Sequence, residues 1–155
     1  MEEKISVVKI GVVRTDKGNF RIELADQYIE SLCNIAGFSH LQILWWGHLN
    51  SGEIEQVLCK PYKNGPDKIG VFATRSPIRP NPILLTNIYV QNIDFQKGII
   101  YTPYIDAEDG TPVLDIKPYN KTERIKECSV PEWCSHWPEY YEDAATFNWG
   151  NEFNF

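Results

Sequence analysis

Phe20, Ile22 and Leu24 alternate with polar residues, and an apolar run over 7–15 precedes them. The residues between, Asp16-Lys17-Gly18-Asn19, are turn formers, so the pattern predicts a β-hairpin. Ala25, Tyr28, Ile29 and Leu32 then recur at helical spacing with Asp26 and Glu30 among them, which predicts one amphipathic helix over 25–35. From 40 to 49 the chain is aromatic and aliphatic with little charge, the composition of a strand buried on both faces. Further strands are predicted at 56–60, 69–74, 83–93, 98–105 and 113–116, separated by turns such as Asn64-Gly65-Pro66 and Asp109-Gly110-Thr111-Pro112. Many short strands and one short helix predict an all-β domain, a sandwich or a barrel. There is no βαβ alternation and no GxGxxG opening a helix, so a Rossmann-type nucleotide site is not supported.

One stretch breaks the alternation. GVFATRSPIRPNPI, residues 70–83, holds Pro77, Pro80 and Pro82 and two arginines, Arg75 and Arg79. Each proline fixes φ and deletes a backbone donor, so the chain beyond Thr74 is expected to be a stiff, extended loop. Stiffness lowers the entropy lost when a guanidinium is held against an anion or a carbonyl. A proline-rich turn with two solvated arginines is the plainer reading of the same residues.

At 155 residues with 43% apolar and 13% aromatic content, the chain can bury one sizeable core. No apolar run approaches the ~20 residues of a membrane span, and the opening Met-Glu-Glu-Lys lacks a signal peptide's regions, so no membrane association and a cytoplasmic location are expected. Cys33, Cys59, Cys128 and Cys134 form no CxxC pair; Cys33 and Cys59, with apolar neighbours, are expected in the core. Cys128, Cys134 and His136 lack an evident fourth ligand, and no metal is expected. The net charge of −6 is concentrated after residue 129, where five acids and no lysine or arginine occur. The near-neutral body leaves room for a nucleic-acid partner but supplies no strongly basic face. Lys60, Lys63, Lys68, Arg75 and Arg79 form one basic cluster, and Lys117, Lys121, Arg124 and Lys126 a second.

Together with GFSHLQILWWGH upstream and DAEDGTPVLDIKPY downstream, the GVFATRSPIRPNPI stretch resembles the TsaA/TrmO-like family of small S-adenosylmethionine-dependent methyltransferases. The resemblance spans roughly residues 7–120 and implies a single-domain β-barrel, a homodimer with the cofactor near its interface, and methylation of the threonylcarbamoyl-modified adenosine next to the anticodon of tRNA. It implies cofactor contacts from His48, Leu49, Arg75, Leu85 and the segment Pro103, Tyr104, Ile105 and Asp106. S-adenosylmethionine offers a carboxylate, a ribose diol, an adenine edge and a sulfonium. Arg75, Asp106 and the two leucines can supply an arginine, an acceptor and an apolar contact.

In-line methyl transfer draws most of its acceleration from alignment, but an amide-like nitrogen is a weak nucleophile and calls for a proton acceptor. His48, Tyr104 and Asp106 are the candidates, with His48 equally readable as a hydrogen-bonded residue closing a buried strand. His40 reads as structural, and Asp109 and Asp115 as turn anchors. Arg79 reads as a second anion contact, for a tRNA phosphate or a neighbouring chain's carboxylate, and with Asn81 it is placed on the acceptor side.

Two features depart from the family pattern. PNPILLT carries Leu84 where many relatives have glycine, and 14–21 is a tight turn where tRNA-modifying members carry a longer insertion. Residues 1–129 are therefore expected to form the barrel and 130–155 an acidic extension with eight aromatics that packs on the barrel or on a dimer partner. Transfer to a small molecule or other acceptor, and a non-catalytic cofactor-binding module, are the alternative functions.

Overall fold

In a computed structural model, which describes residues 3–50 and 52–154, strands β1 (Gly11–Asp16) and β2 (Asn19–Leu24) form the predicted hairpin. Lys17 and Gly18 at its tip both have positive φ, 48° and 83°, as a two-residue turn matching the strand twist requires. The remaining strands of the main sheet are β3 (His40–Trp46), β6 (Ile83–Tyr89), β7 (Asn92–Asp94), β8 (Ile99–Thr102) and β9 (Pro112–Pro118). They assemble, all antiparallel, in the order β6-β3-β9-β1-β2-β8-β7. Two short strands, β4 (Val57–Cys59) and β5 (Lys68–Gly70), pair separately.

The alternation places Val13, Ile22, Leu41, Ile43, Ile88, Ile100 and Val113 on one side, each at 0% exposure, in a core that Ile105 joins from the loop after β8.

The fold class is all-β, but three expectations need correction. The sheet does not close into a barrel among the described residues, because its ends, β6 and three-residue β7, do not pair with each other. The helix over 25–35 is a 3-10 helix, Asp26–Leu32, capped at Ala25 by no side chain. So short a segment gives little return on helix nucleation, and it closes instead through i to i+3 bonds such as Tyr28 N to Ala25 O at 2.8 Å. Cys33 and Cys59 are exposed and Cys134 is the buried cysteine, since Cys33 caps that 3-10 helix and Cys59 ends a two-stranded ribbon.

The chain folds as two compact units, Met1–Gly52 with Asn81–Arg124, and Glu53–Pro80 with Ile125–Phe155. The first holds the seven-stranded sheet. The second is organised by aromatic rings. Tyr62, 8% exposed, stacks on Trp133 at 4.9 Å and meets Trp137 edge-on at 5.4 Å; Trp137 in turn meets Trp149 at 5.4 Å. Burial pushes the Tyr62 phenol above its usual range, with Cys134 adding to the effect. Glu152, 6% exposed, accepts from Trp137 Nε1 at 3.0 Å and lies 2.9 Å from His136 Nε2. Its main chain also holds the 60–63 turn, through Lys63 N to Glu152 O at 2.8 Å.

Candidate functional site

Strand β3 delivers His48. Its register against β9 shifts between Leu44 and Trp45, and such a bulge bends the strand and re-aims the residues beyond it. Gly47 N then donates to Pro82 O at 2.8 Å, and the 3-10 turn His48–Asn50 comes next. The imidazole Nδ1 lies 3.3 Å from Thr111 Oγ1. Thr111 is 1% exposed and is held by its own backbone, donating to Glu108 O and accepting from Val13 N. In the tautomer with the proton on Nδ1, His48 donates to the threonine oxygen and presents the Nε2 lone pair elsewhere.

Leu85 pairs with Leu44 near the start of β6, and the two predicted leucines are solvent-facing, Leu49 at 67% and Leu85 at 39% exposure. Residues 83, 85, 87 and 89 share a face of β6, and Asn87 is therefore on the side of Leu85. Its Oδ1 is buried and has no hydrogen-bond partner among the described residues. Sequence reasoning missed this residue; the available signal was an amide inside the apolar run ILLTNIYV.

Pro103–Asp106 follows β8 and is held from beneath. Ile105 is 1% exposed in the core, and Thr102 Oγ1 donates to Tyr104 O at 3.1 Å. The Tyr104 ring meets Phe20 edge-on at 5.5 Å, and its hydroxyl donates to Asp106 Oδ1 at 3.4 Å. The same β8–β9 loop ends at Thr111, so one segment carries both the predicted adenosine-holding residues and the partner of His48. An open depression beside Asn19, Phe20, Gln91, Tyr101 and Thr102 includes Pro103 as its one predicted site residue.

These first-unit residues fit S-adenosylmethionine. Leu49 and Leu85 offer apolar surface, the Asp106 carboxylate is an exposed acceptor for a ribose diol, and the orphaned Asn87 oxygen lacks the donor that a cofactor N–H would provide.

Arg75 and Arg79 belong to the second unit. Arg75 is exposed. Arg79 is partly buried, and its guanidinium donates to three main-chain carbonyls, Ser76 O at 2.8 Å, Thr74 O at 2.7 Å and Val71 O at 3.0 Å. The loop they occupy has no regular structure from Thr74 to Pro82, as the prolines require. Asn81 is in the first unit, where its carbonyl accepts from Ile83 N at 2.7 Å.

His40 meets Tyr89 edge-on at 5.5 Å, and Asp109 anchors a turn by accepting from Thr15 N at 2.9 Å. Asp115 is no turn anchor: it lies within β9, where it pairs with Leu44 and accepts from Ile116 N at 2.9 Å. Asp115 also holds Lys117 at 2.7 Å, a contact that raises the lysine's affinity for its proton. Of the first basic cluster, Lys63 Nζ donates to Gly150 O at 2.8 Å. Among the described residues no group of three histidine, cysteine or acidic side chains is arranged to hold a metal ion, and no helix is long and apolar enough to cross a membrane.

Comparison with known proteins covers most of this architecture. Residues 10–123 match the family model of the tRNA-methyltransferase O N-terminal domain. A probable S-adenosyl-L-methionine-binding protein of Pyrococcus abyssi is 38% identical over 98 residues, 63% of this chain and 50% of that protein. A tRNA (adenine(37)-N6)-methyltransferase of Eikenella corrodens is 44% identical over 84 residues, 53% of this chain and 48% of its own length. The chain thus spans about half the length of these curated relatives. The crystal structure of TrmO from Pseudomonas aeruginosa superimposes with a TM-score of 0.64 at 27% identity, covering 82% of this chain and 62% of that one. Matched across the strands, the His48 turn and the proline loop alike, the chain belongs to the family of the tRNA-methyltransferase O N-terminal domain.

Proposed function

We propose that this protein transfers a methyl group from S-adenosylmethionine to N6 of the adenosine next to a tRNA anticodon, with the threonylcarbamoyl-modified base as acceptor, working as a cytoplasmic homodimer. The observation that carries this is the family match over 10–123, which contains all three motifs. Bound cofactor supplies an electrophilic methyl on a sulfonium, and the chain's own residues do the rest. Leu49 and Leu85 bind the nucleoside by apolar contact, and the 103–106 main chain and Asp106 orient its adenosine portion. His48, fixed by Thr111, accepts the proton from the acceptor nitrogen. It is favoured over Tyr104 and Asp106 because histidine is the side chain that most often serves as general base in proton transfer.

Support for a dimer comes from β6, an edge strand carrying exposed Ile83, Leu85 and Tyr89 at 40%, 39% and 46%. For RNA, Lys121 and Arg124 of the first unit provide exposed cations. Binding of unmethylated tRNA at several salt concentrations, followed by mass analysis of its nucleosides, tests the acceptor. A logarithmic salt slope and a modified adenosine one methyl heavier are expected, and methyl transfer that ignores RNA would contradict the proposal.

A small-molecule acceptor is the second reading. It is favoured by the two-residue β1–β2 turn, where an insertion would otherwise stand, and by Leu84, which pairs with Trp45 at the start of β6.

A further inference from the structure

A loop built on prolines has more acceptors than donors. Pro77, Pro80 and Pro82 contribute carbonyls and no N–H, so the loop's carbonyls outnumber its amide donors. The loop supplies a few itself. Thr74 N and Thr74 Oγ1 both donate to Val71 O, at 3.0 and 2.8 Å, while Ser76 N donates to Thr74 Oγ1 at 3.2 Å and Ile78 N to Ser76 Oγ at 3.3 Å. Arg79 provides the rest, with Nη2 on both Thr74 O and Val71 O and Nε on Ser76 O. Charge assistance makes such bonds stronger than neutral ones, and a planar fork can hold several carbonyls that a lysine could not reach together.

The position of these bonds gives them a purpose. Thr74 O belongs to the peptide group whose N–H is that of Arg75, and Ser76 O to the peptide group two further along. Holding both orients the backbone on each side of Arg75. We infer that Arg79 is a positioning residue, a brace that fixes the loop presenting Arg75 to the carboxylate end of the cofactor, and not a phosphate contact. The inference rests on the assignment of Arg75 as the cofactor's anion contact.

A double-mutant cycle with S-adenosylmethionine as the titrant separates the possibilities. Arg79→Ala should bind the cofactor about tenfold more weakly, and the double variant with Arg75→Ala should be no weaker than Arg75→Ala alone, because the brace acts only through that arginine. Losses that multiply, or full affinity in Arg79→Ala beside weakened binding in Arg75→Ala, overturn the inference. Amide hydrogen exchange on the cofactor-free chain gives a readout that does not need the cofactor assignment. The Ser76 and Ile78 amides should exchange faster in Arg79→Ala, and unchanged exchange removes the brace. Should Arg75→Ala itself bind with full affinity, the cofactor role of Arg75 falls, and with it the positioning role, even where exchange reveals a braced loop. The salt slope of tRNA binding should be the same in Arg79→Ala as in the parent, whereas a slope shallower by about 0.7 identifies a phosphate contact and overturns the proposal. Arg79→Lys keeps the charge without the fork; it should fall between parent and Arg79→Ala, and it serves in the same measurements where the alanine variant does not fold.

Discussion

Thr111→Val isolates the link between His48 and the chemistry. Thr111 is 1% exposed, and valine keeps nearly its shape while deleting the hydroxyl. The lost bond is long, 3.3 Å to His48 Nδ1, so its net contribution lies near the low end of the usual range, about 0.5 kcal/mol. The backbone bonds that hold the position, Val13 N to Thr111 O at 2.9 Å and Thr111 N to Glu108 O at 3.2 Å, are untouched. Buried, the added methyl offsets part of the loss, and stability should change by less than about 1 kcal/mol. The catalytic effect should be larger. A positioned base contributes roughly 10² to 10⁴ in rate, and a ring that no longer has its tautomer and orientation fixed should forfeit about tenfold of that, or ~1.4 kcal/mol of barrier. Single-turnover methyl transfer at saturating cofactor, run beside chemical denaturation, reads both quantities. A rate equal to the parent's at matched stability would refute the role given to the Thr111–His48 pair.

Three further outcomes are expected. Arg75→Ala should weaken cofactor binding by about 1 to 3 kcal/mol in calorimetry if the guanidinium pairs with a carboxylate. Trp133→Ala removes a partly buried ring stacked on Tyr62 at 4.9 Å and should lower stability by about 2 to 3 kcal/mol, below the cost of a fully buried tryptophan, as measured by denaturant unfolding. Glu152 is held below the usual carboxylate range chiefly by the Trp137 hydrogen bond, with His136 and Lys63 contributing against the cost of burial. A depressed native value means that its stabilisation is fully present above the ordinary carboxylate range and is lost as pH falls through the native value. Thermal unfolding between neutral and acid pH should show this loss, and Glu152→Gln should flatten it.

Local chemistry made much of the fold legible. The hairpin could be seen in Lys17-Gly18 because a two-residue turn has few solutions, and β3 in its mostly apolar composition because its Leu41 and Ile43 face a core. Sheet closure could not be seen. Whether β6 meets β7 depends on pairing between distant segments, and an open sheet and a barrel share the same alternation. Cys33 and Cys59 misled because apolar neighbours in sequence are not neighbours in a turn or an isolated ribbon. The candidate site was legible as motifs, while the relations that give them roles were not. Thr111 reaches His48 across 63 positions, Asn87 is unpartnered only in three dimensions, and Arg79 faces the carbonyls of its own loop. The C-terminal aromatics announced burial, but that they gather with Tyr62 comes from packing alone.

The central claim is that the ends of β3 and β6, with the loop after β8, hold S-adenosylmethionine. Titrating that cofactor into isotope-labelled protein and following backbone amide resonances tests it most directly. Saturable shifts concentrated at His48, Leu49, Leu85, Asn87 and 103–106 are predicted. Shifts confined to other strands, or none at millimolar cofactor, would contradict the account.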